Sequence, residues 1–427
     1  MSKDKNKLIP KLRFPEFKDA GEWVEKSLRS ISSRIVEKVG KSSLPTVSIS
    51  AGLGFVSQAE KFGRDISGEQ YKNYIFIQEG DFAYNKGNSK KYPQGCIYKL
   101  KEFKSAAAPN AFICFSFNKG YVADFYQKLF EANYHGEQLK KFITSGARSD
   151  GLLNISPDDF FSITLPSPEE SEQQKIADCL SSLDELITAH NQKLENLKTY
   201  KKGLMQQLFP RDGETVPKLR FSEFKNAGEW GVKKLGEILS KHPDYGVNAP
   251  AVPYSEKLPT YLRITDISED GCFISKQKVS VDINATSENY LHEGDIVLAR
   301  TGASVGKSYK YKKEDGALVF AGFLIRIKPN NKKLSSDFLY NFLSTEQYWK
   351  WVNITSARSG QPGINGTEYS VLPIPIPPSL HEQQKIADCL SSLDELITAH
   401  NQKLDNLKIY KKGLMQQLFP AADEVNG

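Results

Sequence analysis

The chain has 427 residues, of which 39% are hydrophobic and 25% are charged, with a net charge of +6. This composition excludes a disordered chain, and the absence of any apolar run near ~18 residues argues against a membrane span. Five cysteines without a C-x-x-C pair argue against a disulfide framework and predict a cytoplasmic protein.

The chain begins with an arm that occurs twice. The stretch "PKLRFPEFKDAGEW" at 10–23 returns as "PKLRFSEFKNAGEW" at 217–230. After the first arm come short apolar runs such as "TVSIS" and "AFICFSF", separated by Gly, Asn and Pro. Such runs predict strands, and 121–131 is predicted to be helical. The first body is therefore predicted to be a mixed α+β domain.

A long helix is predicted after the first body, at 172–210. Apolar residues recur every three or four positions from Ile176 to Leu208, which is a heptad pattern, and Pro210 ends it. At ~1.5 Å per residue the helix would be about 58 Å long. The segment returns at 382–420 with two changes in 39 positions, Glu195 to Asp405 and Thr199 to Ile409.

The second body, between the two helices, has the length and landmarks of the first but little of its sequence. "EGDFAYNKGN" at 79–88 parallels "EGDIVLARTG" at 293–302, and "ITLPSP" at 163–168 parallels "LPIPIPP" at 372–378. Runs such as "YLRIT", "DIVLAR" and "FLIRI" again predict strands, with a helix at 336–352. The two bodies are therefore predicted to share one fold and to carry different surfaces.

These elements predict an α+β protein. Two similar, strand-rich mixed α/β domains would be separated by two long antiparallel coiled-coil helices, with pseudo-two-fold symmetry. An alternative is that each helix packs only on its own body. The predicted segments are 1–168 for the first domain with an arm at 9–31, 169–210 for the first helix, 211–378 for the second domain with an arm at 216–238, 379–420 for the second helix, and 421–427 for a tail.

No motif in the chain predicts catalysis or a cofactor. The loop "TGASVGKS" at 301–308 resembles a phosphate-binding loop, but Gly302 and Gly306 enclose three residues where that motif has four. The six histidines are scattered along the chain, so no metal site is predicted. We therefore predict a binding protein with no catalytic residues, no cofactor and no metal.

Positive charge is concentrated on the two bodies. Residues 1–168 carry a net +7 and 211–378 a net +3, whereas 169–210 and 379–427 each carry −2. Basic residues bind phosphates, and Asn, Gln, Arg and Ser recognise base edges. Basic, Gly-rich loops therefore predict a nucleic-acid surface, with ordinary solvated loops as the alternative. The candidate DNA-binding residues are Tyr84, Asn85, Lys86, Asn88, Lys90, Lys91, Tyr92, Arg148, Ser149, Arg300, Thr301, Ser304, Lys307, Lys310, Arg358, Ser359 and Gln361.

The whole chain resembles the DNA-specificity subunit of type I restriction–modification enzymes. The resemblance lies in the doubled "EQQKIADCLSSLDELITAHNQKL" helices, the Pro-rich approaches "ITLPSPEESEQQKIA" and "LPIPIPPSLHEQQKIA", the "EGDIVLARTGASVGK" loop and the repeated arms. It implies two target-recognition domains without catalysis of their own. Each would read one half of a split, asymmetric site in double-stranded DNA through the major groove. It also implies partners: two modification subunits, which use S-adenosylmethionine to methylate adenine, and restriction subunits, which join through the complex for cleavage.

Two other functions are left open by the residues. One is a non-catalytic coiled-coil scaffold whose bodies bind protein partners. The other is a fragment of a single-chain restriction–methylation enzyme. Near-identical helices beside diverged bodies favour the specificity subunit, because two copies of one partner need two copies of one docking surface.

Overall fold

The structure, a computed structural model, describes residues 8–50, 52–87, 92–143, 153–357 and 360–420. The chain forms two compact units, unit 1 from Met1–Asn191 with Gln402–Gly427 and unit 2 from Gln192–Asn401. Each unit therefore holds one body together with parts of both long helices. The predicted segments keep each helix whole and separate from the bodies, whereas these units divide each helix near its middle.

Short strands and helices alternate along unit 1. Its described strands are β1 (Val24–Ser27), β2 (Ser32–Ile35), β3 (Val47–Ser50), β4 (Gly54–Ser57), β5 (Ile75–Gln78), β6 (Phe82–Asn85), β7 (Cys96–Lys99), β8 (Ser105–Ala108), β9 (Ile113–Phe117) and β10 (Thr164–Ser167). Its described helices are α1 (Leu28–Ile31), α2 (Gln58–Phe62), α3 (Ala123–Glu131), α4 (Tyr134–Lys140), α5 (Pro157–Phe161) and the start of the long α6 (Glu170–Leu208). The predicted strands at "TVSIS" and "AFICFSF" and the predicted helix at 121–131 are confirmed.

A four-stranded antiparallel sheet, in the order β2–β9–β6–β7, forms the centre of unit 1. The β3–β4 hairpin and the β5–β8 pair are separate two-stranded sheets. Aromatic rings cover the central sheet, and those of Phe82 and Phe115 stack with their centroids 5.3 Å apart. Helix α3 adds Phe125 and Phe130 to the same buried cluster. Because burying one large apolar side chain contributes about 1.5–3 kcal/mol, this cluster holds α3 on the sheet.

Unit 2 is built in the same way. Its described strands are β11 (Gly231–Lys234), β12 (Asp244–Tyr245), β13 (Ala251–Pro253), β14 (Thr260–Leu262), β15 (Val279–Val281), β16 (Ile296–Ala299), β17 (Ser308–Lys310), β18 (Leu318–Phe320), β19 (Leu324–Ile327) and β20 (Pro373–Ile376). Its described helices are α7 (Ser336–Phe342), α8 (Glu346–Ser356), α9 (Gly366–Ser370) and the start of the long α10 (Leu380–Leu418).

The central sheet of unit 2 repeats the arrangement of unit 1. Its order is β12–β19–β16–β17, again antiparallel throughout. A second sheet, β13–β15–β14–β18, pairs β14 with β18 in parallel. The helix predicted at 336–352 is divided into α7 and α8, because Thr345 caps α8 by accepting from the Tyr348 N–H at 3.3 Å. The common sheet order confirms one fold for the two bodies.

A ribbon of its first and last strands closes each body. β1 pairs with β10, and β11 pairs with β20, both antiparallel. The last strands come from the proline-rich runs, with Pro166 opposite Glu25 and Pro375 opposite Val232. Proline lacks the backbone donor that a central strand needs, so a two-stranded ribbon tolerates it. The ribbon brings the beginning of each body to the start of a long helix.

The two long helices begin at equivalent positions and have 39 residues each. In each unit, the start of one helix and the end of the other pack into the core of the body, so the alternative in which each helix packs only on its own body is wrong. The residues of the helix ends that occupy matching places in the two cores are Ile176, Ala177, Leu180, Leu418 and Phe419 in unit 1, and Ile386, Ala387, Leu390, Leu208 and Phe209 in unit 2.

Within the described ranges, no helix has the length and apolar character needed to cross a membrane.

Contacts of the arm give the relative direction of the helices within each unit. In unit 1, Arg13 binds Glu172 near the start of α6. The neighbouring Leu12 N–H donates to the Gln417 carbonyl near the end of α10 at 2.9 Å. The start of one helix therefore lies at the end of the other, and the pairing is antiparallel. The equivalent contacts in unit 2 are Arg220 with Glu382 and the Leu219 N–H with the Gln207 carbonyl.

Candidate nucleic-acid interface

In each unit, a strand of the central sheet ends at a loop that is tied to a short helix. Lys86 and Arg300 are the first residues beyond β6 and β16. The Lys86 carbonyl accepts from the Leu153 N–H, and the Arg300 carbonyl accepts from the Ile364 N–H, both at 2.9 Å. These bonds pin each loop to the segment before α5 or α9. We define the loop edge of unit 1 as residues 84–87, 92 and 153–156, and that of unit 2 as residues 300–307 and 360–365.

The two tyrosines predicted to contact DNA in unit 1 point inward. Tyr84 is fully buried, its ring stacks on Phe160 at 4.7 Å between centroids, and its hydroxyl donates to the Gln94 carbonyl at 2.8 Å. Burial raises the pKa of Tyr84, so the phenol stays protonated. Tyr92 is half-buried and packs against the apolar cluster around Phe55. The expected DNA contact is corrected for Tyr84, because its ring supports the loop edge from the core.

Asn85 and Lys86 shape the loop edge of unit 1. The Asn85 Oδ1 accepts from the Gly87 N–H at 2.9 Å, a turn that bends the chain after β6. The Lys86 ammonium donates to the Ile155 carbonyl at 3.2 Å, and both side chains stay half-exposed. The other candidates of this unit, Asn88, Lys90, Lys91, Arg148 and Ser149, lie outside the described residues.

Thr301 and Gln361 come together at the loop edge of unit 2. Thr301 forms an antiparallel bridge with Gly363, which brings the exposed Gln361 beside Gly302. Gly302 has a φ of +74°, and a Cβ there would lie 3.0 Å from the Gln361 Nε2, so glycine lets the two segments meet. Ser304 ends the single turn that follows and is half-buried. Arg358 and Ser359, which precede Gln361, lie outside the described residues.

Arg300 lies over an aromatic ring that the sequence did not indicate. Its guanidinium carbon is 4.9 Å from the ring centroid of Tyr245, whose side chain is 46% exposed. Such a cation–π contact contributes about 0.5–1 kcal/mol at an exposed site. Tyr245 belongs to no motif and is far from Arg300 in the sequence. Only the pairing of β12 with β19 places it at this edge.

Lys307 and Lys310 are less available than the sequence predicted. The Lys307 ammonium donates to Glu269 at 2.7 Å and to the Ile267 carbonyl at 3.1 Å. The Lys310 ammonium is ion-paired with Asp337. Both positive charges are therefore partly neutralised within unit 2, whereas the described residues place no carboxylate in an ion pair with Arg300.

The two loop edges present amides, hydroxyls, basic groups and glycine backbone, which are the groups that bind phosphates and base edges. They share one backbone frame but carry different side chains. In the part of the chain that the structure describes, no group of three or more His, Cys, Asp or Glu side chains is arranged to hold a metal ion. The arrangement suits binding of a polyanion.

Comparisons with known proteins agree with this geometry. A family model described as "Type I restriction modification DNA specificity domain" matches twice, at residues 64–199 and 227–408. The chain is 27% identical over 293 residues to the type I restriction enzyme MjaVIII specificity subunit of Methanocaldococcus jannaschii, covering 67% of this chain and 68% of that protein. It is 24% identical to the StySPI specificity subunit of Salmonella potsdam, covering 75% and 67%. The fold is similar to that of the S subunit of a type I restriction-modification system from M. genitalium, with a TM-score of 0.61, 15% identity and coverage of 97% and 100%.

Proposed function

Because two copies of the DNA specificity domain cover most of it, this chain belongs to the type I restriction-modification specificity subunits, and we propose that its two units bind the two halves of one asymmetric DNA target. The observation that carries the proposal is the pair of loop edges. Lys86 and Arg300 occupy equivalent places on equivalent backbones, yet their side chains differ in chemistry and partners. Two different reading surfaces on one repeated frame suit a bipartite site with unlike halves.

The repeated helices support a second part of the proposal, the docking of two modification subunits. Tyr200 and Tyr410 are the same residue of the repeat and are 61% and 60% exposed. Leu186 and Leu396, also equivalent, are 41% and 49% exposed. Exposed aromatic and aliphatic side chains of this kind are common anchors in protein interfaces. Packing within the units does not account for them, whereas two copies of one partner would.

The catalytic steps would then belong to the partners. The modification subunits would methylate adenine with S-adenosylmethionine, and restriction subunits would join for cleavage, while this chain selects the sequence. We place this complex in the cytoplasm, with the host DNA.

Methylation mapping tests the proposal directly. The chain is co-expressed with its modification subunit in a host without other adenine methylation, and methylated adenines are located by single-molecule sequencing. We expect one bipartite motif with two unlike halves separated by unspecified bases. A methylome without a sequence motif would contradict the proposal. A chain purified alone is the control and should transfer no methyl group.

A scaffold without DNA binding is the alternative function. Band-shift assays with the assembled complex separate the two, using a duplex that contains the mapped motif and a scrambled duplex of equal length. A specificity subunit binds the motif duplex more tightly, and its affinity falls with added salt because phosphate contacts release counterions. A scaffold gives equal affinity for both duplexes.

A further inference from the structure

Arg300 has a fixed backbone at the loop edge of unit 2. Its N–H donates to the Phe323 carbonyl at 3.1 Å, and its carbonyl accepts from the Ile364 N–H. The first bond ties it to the segment that enters β19, and the second ties it to the segment before α9. Its side chain therefore starts from a position that both neighbouring segments define.

Tyr245, whose ring contacts the Arg300 guanidinium, is held both at its hydroxyl and at its backbone. The Tyr245 hydroxyl accepts from the Gly366 N–H at 3.0 Å, and its backbone pairs with Ile325. The preceding Asp244 binds the buried Arg326 through two oxygens. These contacts leave Tyr245 little freedom to rotate, so its exposed face is a rigid platform for the guanidinium.

The charge of Arg300 is not neutralised within the described residues. Lys307, Lys310 and Arg326 each bind a carboxylate, whereas no carboxylate of the described chain lies within ion-pair distance of Arg300. Its Nη1 is 3.5 Å from the Gly322 carbonyl, at the outer limit of a hydrogen bond. Most of its N–H donors are therefore available to a ligand.

The equivalent residue of unit 1 lacks this arrangement. Lys86 carries a point charge, and its ammonium already donates to the Ile155 carbonyl. An ammonium suits a phosphate, whereas a planar guanidinium offers two parallel donors to a planar pair of acceptors. The two units thus present side chains of different chemistry at equivalent backbone positions.

We propose that Arg300, held on Tyr245, recognises a guanine in the half of the DNA target bound by unit 2. This rests on the proposed function and names one of its specificity residues. Guanine presents O6 and N7 in the major groove, and they match the two donors of one guanidinium edge. The guanidinium carbon lies 4.9 Å from the ring centroid of Tyr245, so this held ring restricts the positions that the guanidinium can take.

The first experiment compares methylation motifs of the co-expressed complex. Arg300→Lys keeps the charge but loses the two-donor edge, and Tyr245→Leu removes the platform. We expect both variants to accept other bases at one guanine position of one half-site, with discrimination reduced by roughly 5- to 150-fold for Arg300→Lys. The other half-site should not change. Arg211→Lys is the matched control, because Arg211 is an exposed arginine of unit 2 that is not among the residues of the loop edge.

The second experiment changes the DNA instead of the protein. In a duplex carrying the mapped motif, each guanine of the affected half-site is replaced in turn by 7-deazaguanine, which lacks the N7 acceptor. One replacement should weaken binding of the wild-type complex by roughly fivefold or more and leave the Arg300→Ala complex unaffected, because that variant has no donor to lose. Each protein is compared only with itself on the two duplexes, so a difference in stability between wild type and Arg300→Ala does not affect the result.

Several results would overturn the inference. A mapped motif that Arg300→Lys and Tyr245→Leu both leave unchanged overturns the guanine inference and leaves the proposed function standing. A motif in which neither half-site contains a guanine in either strand does the same. Equal sensitivity of wild type and Arg300→Ala to every 7-deazaguanine also overturns it. A wild-type complex that methylates no motif overturns the proposed function as well.

Discussion

Two buried arginine–glutamate pairs fasten the repeated arms to the long helices. The Arg13 guanidinium contacts both oxygens of Glu172 at 2.7 Å, with side chains 9% and 2% exposed. This hydrogen bonding raises the pKa of Arg13 and keeps it charged. Arg220 and Glu382 form the same pair in unit 2, where the Trp230 Nε1 also donates to Glu382 at 3.2 Å.

Glu382→Gln and Glu172→Gln should therefore destabilise their units strongly. Removing one charge from a buried pair leaves the guanidinium uncompensated, which costs about 3–5 kcal/mol. We expect losses of similar size for the two variants, because each amide keeps one of the two oxygens that accept from the arginine. Guanidinium denaturation of the full chain measures the loss. Glu16→Gln, at the exposed pair with Lys175, is the control and should leave stability nearly unchanged, because solvent screens an exposed ion pair. Equal losses for Glu16→Gln and Glu382→Gln would contradict this expectation.

His135 in α4 makes the stability of unit 1 depend on pH. The ring is buried, 5.8 Å from that of Phe130, and burial lowers the pKa of His135 to about 4. The unfolded pKa is about 6.5, so folding favours the neutral ring. The stability of the folded state that depends on a neutral His135 is fully present above about pH 6.5 and is lost as the pH falls toward 4.

Between pH 7 and pH 5 the His135 contribution should lower the unfolding free energy by about 2 kcal/mol. His135→Phe should reduce this pH dependence, because phenylalanine does not titrate. Denaturation curves at the two pH values give the difference for each protein. An unchanged slope in His135→Phe would show that other groups cause the acid sensitivity.

Among the secondary-structure elements, α6 and α10 share two sets of identical residues, and each set has its own reason for being the same in both helices. The first set lies at the helix ends and fills equivalent positions in the two cores. Internal packing alone therefore explains part of the repeat. The second set is exposed and includes Tyr200 and Tyr410, for which a repeated partner is the proposed reason.

Tyr200→Ala should weaken one docking site for a modification subunit, and Tyr410→Ala should weaken the other. Loss of an aromatic interface anchor costs about 2 kcal/mol or more, so each affinity should fall by roughly 30-fold. Native mass spectrometry of the complex measures how many modification subunits remain. We expect two for wild type, one for each single variant at limiting concentration, and none for the double variant.

Thr199→Ala is the control for this experiment. Thr199 is next to Tyr200, but its counterpart is Ile409, so a partner that binds both helices cannot depend on this side chain. Two bound modification subunits in the double tyrosine variant would place the docking surface elsewhere.

At the scale of the whole molecule, the length of the helices is predicted to set the gap between half-sites. Seven residues inserted after Leu194 and after Leu404 add about 10 Å of helix and preserve the heptad seam. At ~3.4 Å per base pair this length corresponds to about three base pairs, and rotation of the grooves along the DNA limits the gain to between about one and three. Both half-sites should persist in the mapped motif while the gap lengthens.

A two-residue insertion at the same places is the control for the heptad insertion. It turns the apolar stripe by about 200° away from its partner and should reduce stability. An unchanged gap in a folded, active heptad variant would show that the helices do not set the spacing.

The elements that repeat or follow a regular period could be predicted from the amino-acid sequence alone. The two long helices, the short strands and the division into two related bodies all follow from local patterns of apolar residues, turns and repeated strings. Such patterns are predictive because backbone period and burial are encoded within a few neighbouring residues. The family resemblance rests on the same strings.

The tertiary structure was needed to show which candidate side chains are exposed and which are buried or bound within the protein. Tyr84 is buried because its ring stacks on Phe160, and the Lys307 ammonium is paired with Glu269, which a separate loop supplies. Tyr245 came to lie under Arg300 through the pairing of β12 with β19. The physical reason is common to all three: a side chain's exposure and charge depend on partners far away in the chain, and no local pattern specifies those partners.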